Sequence, residues 1–292
     1  MNRNYVILTD ATADSIGEIV SQYDFLDMLP MPVSIAGKEY LFGGYQSEIT
    51  CQEFYELERQ GNYAQTSQIP PNIYFDYFRK YLDQGFDVLY LCFTSGLSGT
   101  YQTALMCAKQ VAEKYPEQRL TVIDSAAASI GQGFLVREAL LKKQEGYSYE
   151  ELINWVEEYK LKVVHCFTVD VLNHLEHGGR ISQGAAIIGT TLQVKPLLRV
   201  DENGKLEVVA KPRGNKKAMH LQVQKMEEGW RKDISPHVLI GHGDDYERVL
   251  ELKNRILDKF PDAEIEIAEI NPIIGCHTGP GMLALAFWGD NR

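Results

Sequence analysis

No apolar run in the chain approaches the roughly 20 residues that a membrane-spanning helix needs. The first 15 residues, MNRNYVILTDATADS, lack the long apolar core and small-residue cleavage site of a secretory leader. A cytoplasmic protein with no integral membrane segment is therefore expected. Cysteine is sparse: Cys51, Cys92, Cys107, Cys166 and Cys276 are odd in number and widely spaced, with no C-x-x-C pair. Neither a disulfide framework nor a zinc knuckle follows from that spacing. Cys92 and Cys166 sit in apolar runs and are expected to be small core residues. Positive charge is also short, at 29 Lys and Arg against 40 Asp and Glu. The net charge of −11 argues against wholesale nucleic-acid binding. Internal repeats and low-complexity tracts are absent.

What is present is enough for a sizeable core. The chain has 292 residues, long for one domain and comfortable for two, and 45% of them are hydrophobic. In the first half, apolar strand-like runs (YVILTD, DVLYLCF, LTVIDS) alternate with segments of helical spacing (CQEFYELERQ, PNIYFDYFRKYLDQG, GFLVREALLKKQEG). That alternation implies a mostly parallel sheet flanked by helices. A short capped helix is expected from Ser15 onward, a helix from Thr100 to Tyr115, and a helix C-cap at Gly146. Ser148 with Glu151 three residues later forms a capping-box pattern for the next helix.

From KVVHCFTV onward the texture changes. Two strands flank an Asp-Glu-Asn-Gly turn, an amphipathic helix covers YERVLELKNRILDKF, and AEIEIAEI alternates as a strand. The expected fold is α/β with two domains: residues 1–160 with a mostly parallel sheet, and residues 161–292 with a mixed sheet. Between Leu192 and Lys232, ten Lys and Arg face five Asp and Glu, a local net of +5. Such a basic stretch suits an anionic ligand or an acidic partner, and equally a solvated hairpin and helix face.

Several short motifs bear on chemistry. In TSGLSGTYQ, Thr94 to Gln102, a buried strand runs into a small-residue turn and then a helix. This points backbone N–H groups and a helix dipole at whatever sits above the turn. A phosphate loop would carry a lysine in the glycine pattern, and none is there. A nucleophile elbow would read G-x-S-x-G, whereas Gly99 follows Ser98 at once. Ser98 is thus left as helix cap, anion ligand or nucleophile. In AQTSQIPP, Thr66 and Ser67 suit helix capping, with a second hydroxyl ligand for the anion as the sharper alternative. Asp10 and Asp14 in TDATADS follow the first strand. They fit loop-holding hydrogen bonds better than an acid–base pair or a cation site. In NHLEHGGRIS, His174 and His177 lack a third metal ligand, while Gly178-Gly179 presents Arg180 at a helix end, suited to fork-like anion binding or a surface ion pair. IIGCHTGPG reads as a rigid loop carrying His277, either structural or a donor, with a Cys276–His277 pair disfavoured by sequence adjacency.

Taken in order, these segments resemble the DegV family of bacterial fatty-acid-binding proteins. TDATADS, TSQIPP, FTSGLSGTYQTA, DSAAASIGQG, FTVDVLNHLEHGGRIS, LQVKPLL, NGKLEVVAKPRGNKKA and HTGPG follow in the family's sequence, nearly end to end. Ala11 stands where the family has serine, and Ile69 is inserted after TSQ. The resemblance implies a lipid-binding carrier, not an enzyme, with a long-chain fatty acid in an apolar slot near the domain junction and no other cofactor. It implies that Thr66 and Ser98 bind the carboxylate with His277 close by. It further implies a partner ATP-dependent fatty acid kinase that makes an acyl phosphate for phospholipid synthesis, with Arg180 and Arg213 serving phosphoryl transfer or partner docking. The competing expectation is a standalone serine hydrolase or acyltransferase with Ser98 as nucleophile and His277 as base.

Overall fold

The computed structural model describes residues 4–17, 19–44, 47–182, 193–290 and 292. Its first sheet is parallel throughout, in the order β2-β1-β6-β7, from β1 (Tyr5–Asp10), β2 (Leu26–Leu29), β6 (Asp87–Cys92) and β7 (Leu120–Asp124). Strands β1 and β6 are buried along their whole length, the signature of a sheet covered on both faces. A small antiparallel sheet, β4-β3-β5, joins β3 (Met31–Ile35), β4 (Lys38–Phe42) and β5 (Gln65–Thr66). The third sheet is mixed and runs β10-β9-β8-β13-β11-β12. Its strands are β8 (Val163–Thr168), β9 (Leu197–Val200), β10 (Leu206–Ala210), β11 (His237–His242), β12 (Glu264–Glu269) and β13 (Leu283–Trp288). The α/β class with one parallel and one mixed sheet is as the sequence pattern predicts.

Strands β1 to β7 precede residue 160 and β8 to β13 follow it, but the helices do not respect that division. After α1 (Cys51–Arg59), α2 (Pro71–Leu82) and α3 (Thr100–Ala112), helix α4 (Ser129–Gln144) packs on β8, β11 and β13. On its other side, Gln132 Nε2 donates to Thr9 Oγ1 of β1 at 3.2 Å. Helix α4 therefore lies between the two large sheets. It is buried on every face from Ser129 to Val136, with the polar Ser129 and Gln132 held there by hydrogen bonds. Two of its glycines allow close approach: a Cβ on Gly133 would sit 1.9 Å from the Asp14 carbonyl oxygen. Helix α5 (Tyr149–Tyr159) starts at the expected Ser148–Glu151 capping box, and Gly146 before it has φ +97°. Phe134, Trp155, Tyr159 and Trp288 interlock edge-to-face and by stacking, part of a core shared by both halves. A second core lies between the mixed sheet and helices α7 (Asn215–Glu227) and α8 (Tyr246–Lys259).

Three local expectations are corrected. Ser15 onward is not a capped helix: Ser15 takes φ +73°, and only the 3₁₀ turn Val20–Gln22 forms. Helix α3 stops at Ala112, short of Tyr115. Ile273 to Thr278 is not a loop but most of a helix, α9 (Pro272–Thr278), capped by Asn271, which accepts from Ile273 N–H at 2.9 Å. Helix α9 packs on α1, β3 and β5, so this late segment is built into the first half of the molecule.

Candidate ligand-binding site

Above the carboxyl end of β6, Thr94 to Gly99 make the small-residue turn. Ser98 is not the N-cap of α3; that position is Gly99, with no side-chain cap. Ser98 Oγ instead accepts from Thr100 N–H at 3.2 Å and lies 2.8 Å from Thr100 Oγ1. Nor does Thr66 cap α2, whose N-cap is Pro70. Thr66 belongs to β5, paired with Val33 of β3. The turn and the TSQ segment meet through Gln68. Its side chain lies so near Gly99 that a Cβ there would fall 2.7 Å from Gln68 Nε2, and Gln68 Oε1 accepts from Thr103 Oγ1 at 3.0 Å. Thr66 Oγ1 is hydrogen-bonded to His277 Nε2 at 2.9 Å.

His277 sits in the last turn of α9. Burial first, then the positive charge of Arg180 and the neighbouring His174, push its pKa down to about 3, so the ring is neutral at pH 7. Its Nδ1 has no partner among the described residues. Gly178, at the end of α6 (Asn173–His177), lets the two segments touch: a Cβ there would lie 2.3 Å from His277 Nδ1. The Arg180 guanidinium donates to the Gly178 carbonyl, and burial lowers its pKa. Behind this group, His174 Nε2 lies 3.0 Å from the buried Glu58 carboxylate, and Tyr63 packs on His174 and His177. Neither histidine approaches a metal set, since no group of three His, Cys, Asp or Glu among the described residues could hold an ion. Burial pushes the Cys276 thiol up to about 12, which removes it as a thiolate.

Thr66, Ser98, Arg180 and His277 all line one cavity, which has about 750 Å³ of space unfilled by atoms, part of it open to solvent. The rest of the wall is largely apolar: Met31, Phe93, Leu97, Phe167, Val200 and Leu206 are among its side chains. Val200 and Leu206 come from the β9–β10 hairpin, whose Asn203-Gly204 turn reaches across to the loop after β6. Thr94 Oγ1 donates to the Gly204 carbonyl at 3.1 Å, and a Cβ on Gly96 would fall 2.5 Å from the Asn203 carbonyl oxygen. The family resemblance implies an apolar slot but not the residues that wall it, and hairpin and loop read as separate in the sequence, because nothing local marks residues that meet only in space.

Asp10 and Asp14 lie behind the wall. Asp10 accepts from Tyr90 Oη at 2.7 Å and Phe93 N–H at 3.1 Å, tying β1 to the loop after β6. Asp14 accepts from Ser129 Oγ at 2.6 Å and Asn271 N–H at 2.8 Å, joining the starts of α4 and α9. Burial raises the Asp14 pKa to about 7, partly offset by those two hydrogen bonds. Arg213 is exposed, in a bridge with Val194, and does not line the cavity. Around it much of the basic stretch is already ion-paired: Lys195 with Asp170, Arg199 with Glu207, Lys225 with Glu228, and Arg231 with Asp233 and Asp290.

A family model described as "Uncharacterised protein, DegV family" matches residues 4–290. The chain belongs to the DegV family. A DegV domain-containing protein of Clostridium perfringens is 39% identical over 290 residues, covering 99% of each chain. Two solved DegV structures share the fold. One is a fatty-acid-binding DegV protein from Thermus thermophilus, with 28% identity, TM-score 0.84, and 98% and 100% of the two chains covered. The other is a fatty-acid-binding DegV protein from Streptococcus agalactiae, with 28% identity, TM-score 0.83, and 99% and 100% covered. Binding of fatty acids is thus an attested property of DegV proteins. No helix among the described residues of this DegV chain is long and apolar enough to cross a membrane.

Proposed function

We propose that this DegV protein binds a long-chain fatty acid in the apolar slot between two α/β units, residues 1–160 and 161–292. It presents the carboxylate to a partner ATP-dependent fatty acid kinase, which makes the acyl phosphate. The observation that carries the reading is the slot itself: a mainly apolar wall with Thr66, Ser98, Arg180 and His277 gathered in it. A C16 chain has about 14 methylenes, and at about 0.8 kcal/mol each its burial is worth roughly 11 kcal/mol before association costs. A carboxylate taken from water needs charge-assisted hydrogen bonds. Thr66 and Ser98 hydroxyls and a neutral His277 supply them without a tight ion pair, which leaves the carboxylate reactive enough to attack a phosphoryl group. Arg180, half-buried beside His277, is suited to the charge of the transferring phosphoryl group. Arg213, exposed, is suited to docking the kinase.

The hydrolase alternative finds less support. The Ser98 hydroxyl is engaged with Thr100, the bonded partner of His277 Nε2 is Thr66, and no carboxylate partners His277 Nδ1 among the described residues. Solvent extraction of the purified protein followed by mass spectrometry tests the proposal. One equivalent of free fatty acid is expected. An empty protein that hydrolyses esters and loses that activity in Ser98→Ala would overturn it.

A further inference from the structure

Two ring nitrogens of slot-lining residues lack a hydrogen-bond partner among the described residues: His277 Nδ1, packed against Gly178, and His165 Nε2. The second has no role in the binding of a carboxylate or in phosphoryl transfer. His165 lies in β8, only 5% exposed, and its neighbours in the wall include Ile130, Phe167 and Ala284. The ring bonds to the backbone of Ala128 in a way that favours the protonated ring, so the Ala128 carbonyl accepts from a ring N–H. That N–H is on Nδ1, because Nε2 is the nitrogen without a partner. The fit is tight: a Cβ on Gly131, in the first turn of α4, would fall 2.0 Å from Nδ1. Burial, and then the charge of Arg292, hold the ring neutral. With Nδ1 protonated, Nε2 carries a bare lone pair, an acceptor in an apolar wall.

We propose that His165 is a second recognition point of the slot and reads a hydroxyl group on the acyl chain, so that a monohydroxy long-chain fatty acid is a preferred ligand. This inference rests on the reading of the slot as a fatty-acid site. An unsubstituted chain packed against His165 leaves a buried acceptor unsatisfied, which is costly, whereas a chain hydroxyl donates to it. The chemistry is directional. A keto group, itself only an acceptor, brings no proton and gains nothing. Phenylalanine would fill similar space without the lone pair.

The test uses the delipidated full-length protein and titration calorimetry with three ligand sets. These are stearic acid, monohydroxystearic acids with the hydroxyl moved stepwise along the chain, and the matching ketostearic acids. At one position the hydroxy acid is expected to bind about five- to tenfold more tightly than stearic acid, the size of one net hydrogen bond. The keto isomer at that position shows no gain. In His165→Phe the hydroxy acid and stearic acid are expected to bind alike, whatever their common affinity, and a cooperative urea unfolding transition reports that the variant is folded. Should that variant misfold, the hydroxy-against-keto contrast in wild type still decides. The inference is overturned if no hydroxy isomer surpasses stearic acid, if keto and hydroxy isomers gain alike, or if His165→Phe keeps the gain. Failure of stearic acid itself to bind would instead remove the fatty-acid reading, and this inference with it.

Discussion

Replacing Gly178 with alanine probes how the end of the slot is held. Gly178 has φ −72° and ψ −8°, a helical conformation that alanine adopts freely. By propensity alone the change would stabilise the chain by about 0.5–1 kcal/mol. The neighbourhood dictates the opposite. The new Cβ would lie 2.3 Å from His277 Nδ1 and 3.3 Å from the His174 carbonyl oxygen. An ordinary contact requires the ring to retreat by roughly 1 Å. A movement of that size spoils the 2.9 Å bond between His277 and Thr66. With Thr66 no longer oriented by His277, its proposed charge-assisted hydrogen bond to the carboxylate is lost at a cost of about 1.5–3 kcal/mol, so fatty-acid affinity is expected to fall roughly 10- to 150-fold. Gly179→Ala is the control. Gly179 has φ +71°, and nothing lies within 4 Å of its would-be Cβ. That variant loses about 1 kcal/mol of stability to backbone strain and keeps its affinity. Calorimetric titration with palmitic acid and urea unfolding measure both quantities. Affinity within twofold of wild type in a folded Gly178→Ala, or an equal loss in Gly179→Ala, would refute the reasoning.

Thr66→Val with Ser98→Ala should weaken palmitate binding, by calorimetric titration of the folded variants, more than either change alone; undiminished affinity would mean that the carboxylate sits elsewhere. Arg180→Ala should retain fatty acid through purification, by mass spectrometry, yet fail to support acyl-phosphate formation with the kinase; loss of the lipid would make Arg180 primarily a carboxylate ligand. Asp14 carries a pH signature. Its folded pKa of about 7 lies above the ordinary aspartate value of 3.8, so the stability contributed by the protonated carboxyl is full below pH 3.8 and is lost as pH rises through 7. Asn mimics the protonated acid, so the gain of Asp14→Asn over wild type should grow by about 4 kcal/mol between pH 4 and pH 8 in urea unfolding. A pH-independent difference would contradict the buried, perturbed carboxyl. His277 has the reverse sign: with a folded pKa of about 3 against 6.5, its contribution is present above pH 6.5 and fades as pH falls toward 3, a slope that His277→Phe should erase.

Segments whose signals are local were legible in the sequence. Ser148 and Glu151 announce α5 because both halves of a capping box lie within four residues. The Asp-Glu-Asn-Gly turn sets the β9–β10 hairpin because Gly204 supplies the required positive φ. Segments decided by distant partners misled. The glycines of IIGCHTGPG suggest a loop, whereas α9 is capped by Asn271 and gains its stability from packing on α1, β3 and β5. Thr66 and Ser67 look like caps until β3 claims Thr66 as a strand partner. Ser15 begins no helix because Asp14 is held by Ser129 and Asn271, from two other parts of the chain. At the site, the hydroxyls of Thr66 and Ser98 stood out as motifs. His165 did not, because a histidine within an apolar strand carries no hint of which cavity it will meet.

The slot is bounded by residues of the larger core, so an occupant completes the packing of the folded chain and has no counterpart site in the unfolded one. Mass action then adds stability in proportion to the logarithm of free ligand over its dissociation constant, about 2.7 kcal/mol at a hundredfold excess. A chain that folds around its cargo is more exposed to proteases when the cargo is scarce. If the slot holds a fatty acid as proposed, lipid supply then bears on the lifetime of the protein as well as on its occupancy.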